Sequence, residues 1–319
     1  MNRRNVLIIG DVIVDNYLWA KVERISPEAP VPIVTVQQKE NRLGGAANVA
    51  LNVQAMGATP ILCSVIGNDF NGTLFTDLMG FQGLTSEGII KSNQRQTTVK
   101  TRVISSNHHL LRVDDEIVSE ITESETRQLS AKIKQLLSKE KIDVLIFEDY
   151  DKGVLNKNLI QTIIAEANKH NIPIAVDPKR KNFWEYKNVN LFKPNLKELR
   201  EGLNIDLDHR NKKTMQKNLD DFQQKQNINL LLVTLSEMGI YVSNKKVKEF
   251  IPAHIRNIAD VSGAGDTVIS VAALGLALNL PPVVLATIAN LAGGLVCEKA
   301  GVVPIDKKLL LQKVCEIKF

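Results

Sequence analysis

Asn5-Val6-Leu7-Ile8-Ile9-Gly10-Asp11 is the stretch that decides the fold. A strand with one wet face alternates apolar and polar residues. An unbroken apolar run ended by Gly-Asp instead fits a parallel strand buried on both faces. The same kind of run recurs at residues 144–147, 172–176, 189–192 and 230–235, with helical patterns between the runs. Short apolar strands alternating with helices predict an α/β architecture: a central, mostly parallel sheet with helices on both faces.

Outward from that rhythm the pattern changes. In residues 17–38, Pro27, Pro30 and Pro32 break helix while Ile33-Val34-Thr35-Val36 is β-prone. Residues 97–104 alternate polar and apolar, and Ser105-Ser106-Asn107 is a good turn into His109-Leu110-Leu111-Arg112-Val113. These blocks predict one small antiparallel sheet, a β lid formed by about 16–38 and 97–114. Residues 44–57 read as a helix that starts at paired glycines and ends at Gly57. A long apolar helix is expected over 262–280, Pro281-Pro282 resets the chain, and a second apolar helix runs to about Lys299. With no internal repeat and no low-complexity linker, residues 1–319 read as a single domain.

Composition narrows the class. Hydrophobic residues make up 44% and charged residues 24%, and no apolar run approaches the ~18 residues needed to span a bilayer. The amino terminus enters the first strand without a cleavage site, so the expected location is the cytoplasm and no membrane partner is expected. Cys63, Cys297 and Cys315 lie far apart, which predicts neither a disulfide framework nor a zinc knuckle. The net charge of +5 is spread through lysines mixed with acids and without interleaved aromatics, so a nucleic-acid face is not expected.

Ligands of open α/β sheets gather at the carboxyl ends of the strands. There the sequence places Gly10-Asp11 and Asp15, Glu148-Asp149, Asp177-Pro178-Lys179 and Lys193-Pro194-Asn195. The sharpest element is Gly263-Ala264-Gly265-Asp266 at the start of an apolar helix: free first-turn amides and the helix dipole make an anion cradle. Asp266 within it has two readings. It is a base for a hydroxyl attacking phosphorus, or only an acid favoured in a first helical turn. Asn195 and Glu198, three apart, are either a capping box or the anchor of a hydrated magnesium ion, and the two are compatible. A Gly-x-x-x-x-Gly-Lys-Ser/Thr loop is missing, the first strand lacks the later glycines of a dinucleotide fingerprint, and the five histidines show no metal spacing. His108 and His109 read as turn-edge surface residues.

Together these residues resemble the ribokinase-like (PfkB) carbohydrate kinases. Gly44-Gly45-Ala46-Ala47-Asn48 looks like that family's amino-terminal sugar-binding signature, and residues 260–266 look like its carboxy-terminal one. Residues 24–32, Lys100-Thr101-Arg102-Val103, Asp149-Tyr150-Asp151-Lys152-Gly153 and Lys193-Pro194-Asn195-Leu196 are closer still to the kinase half of the heptose-phosphate enzymes of lipopolysaccharide precursor synthesis. The resemblance implies ATP-dependent phosphorylation of D-glycero-β-D-manno-heptose 7-phosphate at its anomeric hydroxyl. No His-x-Gly-His motif occurs through Phe319, so the expectation is a kinase without a nucleotidyltransferase domain.

By the same resemblance Asp266 would be the base and the amides of Gly263, Ala264 and Gly265 the anion hole. Asp15, Gly44, Gly45 and Asn48 would contact the sugar. Asn195 and Glu198 would serve magnesium and phosphate, and Thr234, Ser236, Gly239 and Asn290 the nucleotide. Asp260 and Ser262 would lie at a monovalent cation, potassium being the candidate. The basic residues offered for the 7-phosphate are Lys152, Lys179, Arg180, Arg102 and Arg112, of which Lys179 is preferred because it follows a strand end. The lid would pair with a second lid in a homodimer. Two departures stand out: Ser262 where the family commonly has Thr, and Glu148 where it commonly has a small residue. The second puts a carboxylate beside a site meant for anions. A kinase for another sugar, sugar phosphate or nucleoside, and a binding protein without turnover, are the alternatives.

Overall fold

The computed structural model describes residues 4–105, 108–205, 212–254 and 258–317. The chain enters with β1 (Asn5–Gly10), β2 (Val12–Ile25) and β3 (Pro32–Gly45), and then α1 (Ala46–Ala55), β4 (Thr59–Gly67), α2 (Phe70–Phe81) and β5 (Ile89–Ser92). Next come β6 (Val99–Ser105), β7 (His108–Asp115), α3 (Glu123–Lys139), β8 (Val144–Glu148), α4 (Lys157–Lys169), β9 (Ile174–Asp177) and β10 (Leu191–Phe192). The last third holds α5 (Leu196–Leu203), α6 (Lys212–Gln226), β11 (Leu230–Thr234), β12 (Ile240–Ser243), β13 (Lys248–Ile251), α7 (Ala264–Ala277), α8 (Pro282–Val296) and α9 (Lys307–Cys315).

Among the described residues nine strands form the main sheet, in the order β13-β12-β11-β10-β9-β8-β1-β4-β5. From β5 to β11 neighbours are parallel; β12 and β13 close one edge as antiparallel strands. The central position of β1 explains its unbroken apolar run. Val6 and Ile8 pack into one core with α1, α7 and α8, whereas Leu7 and Ile9 pack into the other with α3 and α4. Alternate side chains of one strand thus serve opposite faces, and both faces are dry. No helix among the described residues is long and apolar enough to cross a membrane.

The smaller sheet has the order β3-β2-β6-β7. It is mixed, which corrects the expectation of an antiparallel sheet: β2 pairs with β3 and β6 with β7 antiparallel, but β2 and β6 run parallel from Val14↔Val99 to Trp19↔Ile104. The reason is topological. β2 leaves the carboxyl end of β1 and β6 leaves that of β5, so both depart from the same edge of the main sheet. β2 and β3 extend the small sheet beyond the expected limits, since β2 begins at Val12 and β3 continues to Gly45, directly against α1. The glycines expected to open that helix therefore end a strand. Of the expected turn, Ser106 and Asn107 lie outside the described residues.

Candidate active site

Gly263 caps α7 with φ of +79°, a left-handed conformation that suits glycine, and the turn it starts, Gly263 to Asp266, lines a cleft of about 750 Å³; the Ala264 amide is held by Val261 O at 3.3 Å. Asp266 lies in that first turn, 6% exposed, and also lines the cleft. Its Oδ2 accepts the Asn48 side-chain amide at 2.7 Å and its Oδ1 accepts the Tyr150 hydroxyl at 2.7 Å. Burial pushes the Asp266 carboxyl above its usual range, as does Asp177; the bonds from Asn48 and Tyr150, and Lys193, pull it back. A partly desolvated carboxylate held by two donors is a stronger proton acceptor than one in water.

The floor of the cleft is built by the ends of β8, β9 and β10. Lys193, 3% exposed, pairs with Asp177 Oδ2 at 2.8 Å, and a Cβ on Gly265 would come within 3.6 Å of the Lys193 ammonium. The lysine charge and the helix amides therefore face one small volume. Lys179 binds Glu198 and lies 3.9 Å from Asp177 Oδ1. Asn195 and Glu198 form a reciprocal capping box on α5, with Asn195 Oδ1 accepting the Glu198 amide at 2.8 Å and Glu198 Oε2 accepting the Asn195 amide at 2.8 Å. Both oxygens of Glu198 thus already have donors, so a cation here would be met through water. Among the described residues no three acidic, histidine or cysteine side chains come together to hold a metal ion, so a divalent ion in this cleft would keep most of its water and take few protein ligands; Asp177 Oδ1, buried without a hydrogen bond among the described residues, is one oxygen left for it. Glu148 lies in register with Asp177, fully buried, with neither carboxylate oxygen bonded among the described residues. Burial, then Asp177 and Asp266, hold it well above the ordinary carboxylate range. A carboxyl so placed takes on negative charge less readily than one in water.

On one side of the cleft Thr234, Ser236 and Gly239 line the wall, and a bridge between Asn195 and Thr234 ties that wall to the floor. Gly239 has φ of +95°, and a Cβ on it would meet Ile251 O at 2.1 Å. Ile240, Ile258, Val261 and Val268 supply an apolar lining, with Gly293 opposite. A slot with apolar walls leading to a polar floor that holds two lysines suits a planar base attached to phosphates. Asn290 is not among the lining residues. Its amide donates to Pro252 O at 2.9 Å and braces the segment beside the cleft, while Gly293 and Cys297, on and just after α8, reach the cavity. An asparagine is a stronger signal in a sequence than a glycine, and here the smaller residue is the one that leaves room.

On the other side the small sheet carries Asp15, in register with Arg42 on β3 and Lys100 on β6. A Cβ on Gly44 would come within 2.1 Å of Asp15 Oδ2, so the carboxylate rests directly on that glycine. Gly45, φ +61°, turns the chain into α1 and points Asn48 at Asp266. Asp15 binds Arg102. The basic residues offered for a substrate phosphate are otherwise engaged: Lys152 with Glu116 at 2.7 Å, Arg112 with Asp114 at 2.9 Å, and Lys179 with Glu198 on the floor of the cleft. Arg112 lies on the fully exposed strand β7, and Arg180 is exposed.

Tyr150, which no spacing rule singled out, joins the two sides. Asp11 accepts the amides of Tyr150, Lys152 and Val154 and so knots the loop after β8, which aims the tyrosine hydroxyl at Asp266. Asp149 turns the other way, to Asn182 and Tyr186, and burial lifts it to about 7. Asp260 closes a loop by accepting the amides of Ser262 at 2.9 Å and Gly301 at 3.0 Å. Burial opposes its charge, but these bonds bring its carboxyl below the usual range. With the side chain so committed, a monovalent ion near Asp260 and Ser262 would rely on backbone carbonyls.

Comparison with known proteins accords with this geometry. The chain is 40% identical over 299 residues to the bifunctional protein HldE of Helicobacter pylori strain J99, covering 93% of this chain and 64% of the relative, and 38% identical over 302 residues to that of Wolinella succinogenes, covering 94% and 62%. It thus spans a little under two thirds of those relatives. Among solved structures it resembles phosphofructokinase-2 from Escherichia coli in complex with potassium, with a TM-score of 0.81 at 18% identity over 99% of both chains. It likewise resembles Arabidopsis thaliana ribokinase complexed with ribose and ATP, with a TM-score of 0.75 at 13% identity over 98% of this chain and 99% of the other. These two carry the fold, which is ribokinase-like. A family model for the pfkB family carbohydrate kinases matches residues 3–308, and the chain belongs to that family of ATP-dependent sugar kinases.

Proposed function

We propose that this chain transfers the γ-phosphoryl group of ATP to the anomeric hydroxyl of D-glycero-β-D-manno-heptose 7-phosphate, giving the 1,7-bisphosphate on the route to ADP-heptose. The observation that carries the reading is the buried Asp266 carboxylate, held at 2.7 Å by Asn48 from the glycine-turn helix and by Tyr150 from the loop after β8, at the mouth of an amide cradle. The sugar hydroxyl gives its proton to Asp266 as its oxygen bonds to phosphorus, and the bond from phosphorus to the ADP oxygen breaks. Amides of Gly263, Ala264 and Gly265, with Lys193 and Lys179, offset the charge of the transferring group. Magnesium, met by Asn195 and Glu198 through water, would neutralise phosphate charge. Potassium, if used, would sit by the Asp260–Ser262 loop and steady the cradle.

Asp15, Gly44, Gly45 and Asn48 form the proposed sugar side, and Thr234, Ser236 and Gly239 the nucleotide side. The small sheet acts as the lid, excluding water so that ATP is not hydrolysed. Its Leu111 and Val113, 58% and 51% exposed on one face of β7, support a homodimer through the lid. The heptose acceptor is favoured over other sugars by the likeness to HldE along 93% of the chain.

The test is ADP release from purified protein with ATP, magnesium and a panel of sugars and sugar phosphates. Turnover selective for the heptose 7-phosphate is expected; turnover on ribose alone sinks the acceptor, and binding without turnover makes the protein a regulator. Asp266→Asn should keep ATP binding by calorimetry while lowering kcat by ~10³-fold or more. Turnover near wild type would remove Asp266 as the base.

A further inference from the structure

Lys100 is a half-buried ammonium on the sugar side whose obvious partners are taken. It stands on β6 in register with Asp15 of β2 and Asp114 of β7, yet Asp15 binds Arg102 and Asp114 binds Arg112. Lys152, its other cationic neighbour, is paired with Glu116. Among the described residues Lys100 Nζ has neither a hydrogen bond nor an ion pair; its one named contact is the face of the Tyr150 ring, 5.9 Å from the centroid. Four cations, Lys100, Arg102, Arg112 and Lys152, thus meet three carboxylates, Asp15, Asp114 and Glu116, and the unneutralised charge falls on the lysine. Burial, then Lys152 and Arg112, pull the Lys100 ammonium below its ordinary range, and the already paired Asp114 and Glu116 offset this only in part. A half-buried ammonium without a hydrogen bond or ion pair of its own is costly unless an anion joins it.

The place of this charge is informative. Tyr150 separates it from the reacting centre: the ammonium lies over the ring, while the hydroxyl of the same ring is 2.7 Å from Asp266. Lys100 is absent from the wall of the nucleotide cleft, so it is not placed for ATP phosphates. A sugar with its reacting hydroxyl at Asp266 and its far end over the small sheet would present that far end to Lys100.

We propose that Lys100 is the specificity-determining cation of the acceptor site, and that it receives a phosphate monoester carried at the end of the sugar remote from the hydroxyl that is phosphorylated. The inference rests on the reading of Asp266 as the base of a sugar kinase. It assigns the phosphate to Lys100 and not to Lys179, and it makes an already phosphorylated sugar the acceptor class. Arg102 and Lys152 flank the group without surrendering their own carboxylates.

The measurement is kcat/KM for the heptose 7-phosphate and for the same heptose without its phosphate, in wild type, Lys100→Met and Lys100→Arg. Wild type should favour the phosphorylated sugar by ~10²-fold or more, Lys100→Met should collapse that ratio toward unity, and Lys100→Arg should restore much of it. A wild-type ratio below about threefold overturns the inference without any variant. So does an unchanged ratio in Lys100→Met, or a rise in KM for ATP in place of the sugar phosphate. Asp266→Asn, assayed in parallel, separates the two readings: if it keeps turnover the kinase chemistry fails, whereas if it is inactive and the Lys100 ratio is unmoved only the phosphate site fails. Should Lys100→Met not fold, competition of inorganic phosphate against the sugar phosphate in wild type decides, competition supporting the site and its absence overturning it.

Discussion

Asn48 donates its side-chain amide to Asp266 Oδ2 at 2.7 Å across 218 residues of sequence. The bond joins the helix that follows the paired glycines to the helix that holds the anion cradle, and α1 packs directly on α7. It also helps to set the basicity of Asp266, because a donor to the charged form lowers a carboxyl that burial raises.

Asn48→Ala should therefore shift the acid limb of the kcat–pH profile upward, since the lost bond is one of those that pull Asp266 down. A fall in kcat of about 10- to 100-fold should accompany it. Activity requires the deprotonated base, so the loss should be deepest on the acidic side and partly recovered as pH rises. A drop in kcat with an unmoved acid limb would assign Asn48 to sugar contact alone.

Gly265→Ala separates stability from catalysis. Its φ is not in the left-handed region, and the added methyl would sit 3.6 Å from Lys193 Nζ and 3.8 Å from Asp177 Oδ2, ordinary contact distances. Thermal unfolding should move by less than about 1 kcal/mol, while the methyl intrudes on the cradle and turnover falls by ~10²-fold. Gly44→Ala should behave differently, because its methyl would lie 2.1 Å from Asp15 Oδ2 and must displace that carboxylate. There the KM for sugar should rise together with a loss of stability.

Glu148 gives a pH dependence of stability with a definite sign. Its folded pKa is raised by burial, then by Asp177 and Asp266, with Lys193 and Lys179 opposing. A group raised in the folded state contributes stability fully below its unfolded value, near 4.5, and loses it as pH rises through the folded value. The stability of wild type relative to Glu148→Gln should thus decline with rising pH above that point, by at most about 1.4 kcal/mol per pH unit. Urea unfolding of both proteins over a pH series checks it, and parallel curves would mean that Glu148 ionises as freely in the fold as in water.

Lys193→Met should cost about 3 kcal/mol, because it takes the 2.8 Å ammonium from the buried Asp177 carboxylate and leaves it only Lys179 at 3.9 Å. Adding Asp177→Asn should return a good part of that loss in denaturant unfolding while leaving turnover poor. Recovery of both would mean that the pair serves the fold only.

The parallel body of the sheet was legible in the sequence because a strand buried on both faces has a local signature. Val6 to Ile9, Val144 to Phe147 and Leu230 to Val233 needed no knowledge of their neighbours. Asp266 was legible for a similar reason, since glycines, helix start and acid fall within four consecutive residues. Pairing is not local, and so the parallel contact of β2 with β6 was missed, together with the orphaned charge of Lys100 that depends on which arginines claim Asp15 and Asp114.

The sequence by itself determined the α/β class, the ends of the parallel strands and the glycine-rich helix start that carries Asp266, because each rests on short-range periodicity and backbone freedom. Only the tertiary structure decided that Tyr150 and Asn48 meet at Asp266, that Asn195 and Glu198 cap one another while Glu198 binds Lys179, that the Asn290 amide goes to Pro252 O, and that Glu148 is buried beside Asp177. Those outcomes depend on distance, desolvation and competition for partners between segments far apart in the chain, and none of the three has a period that a sequence can display.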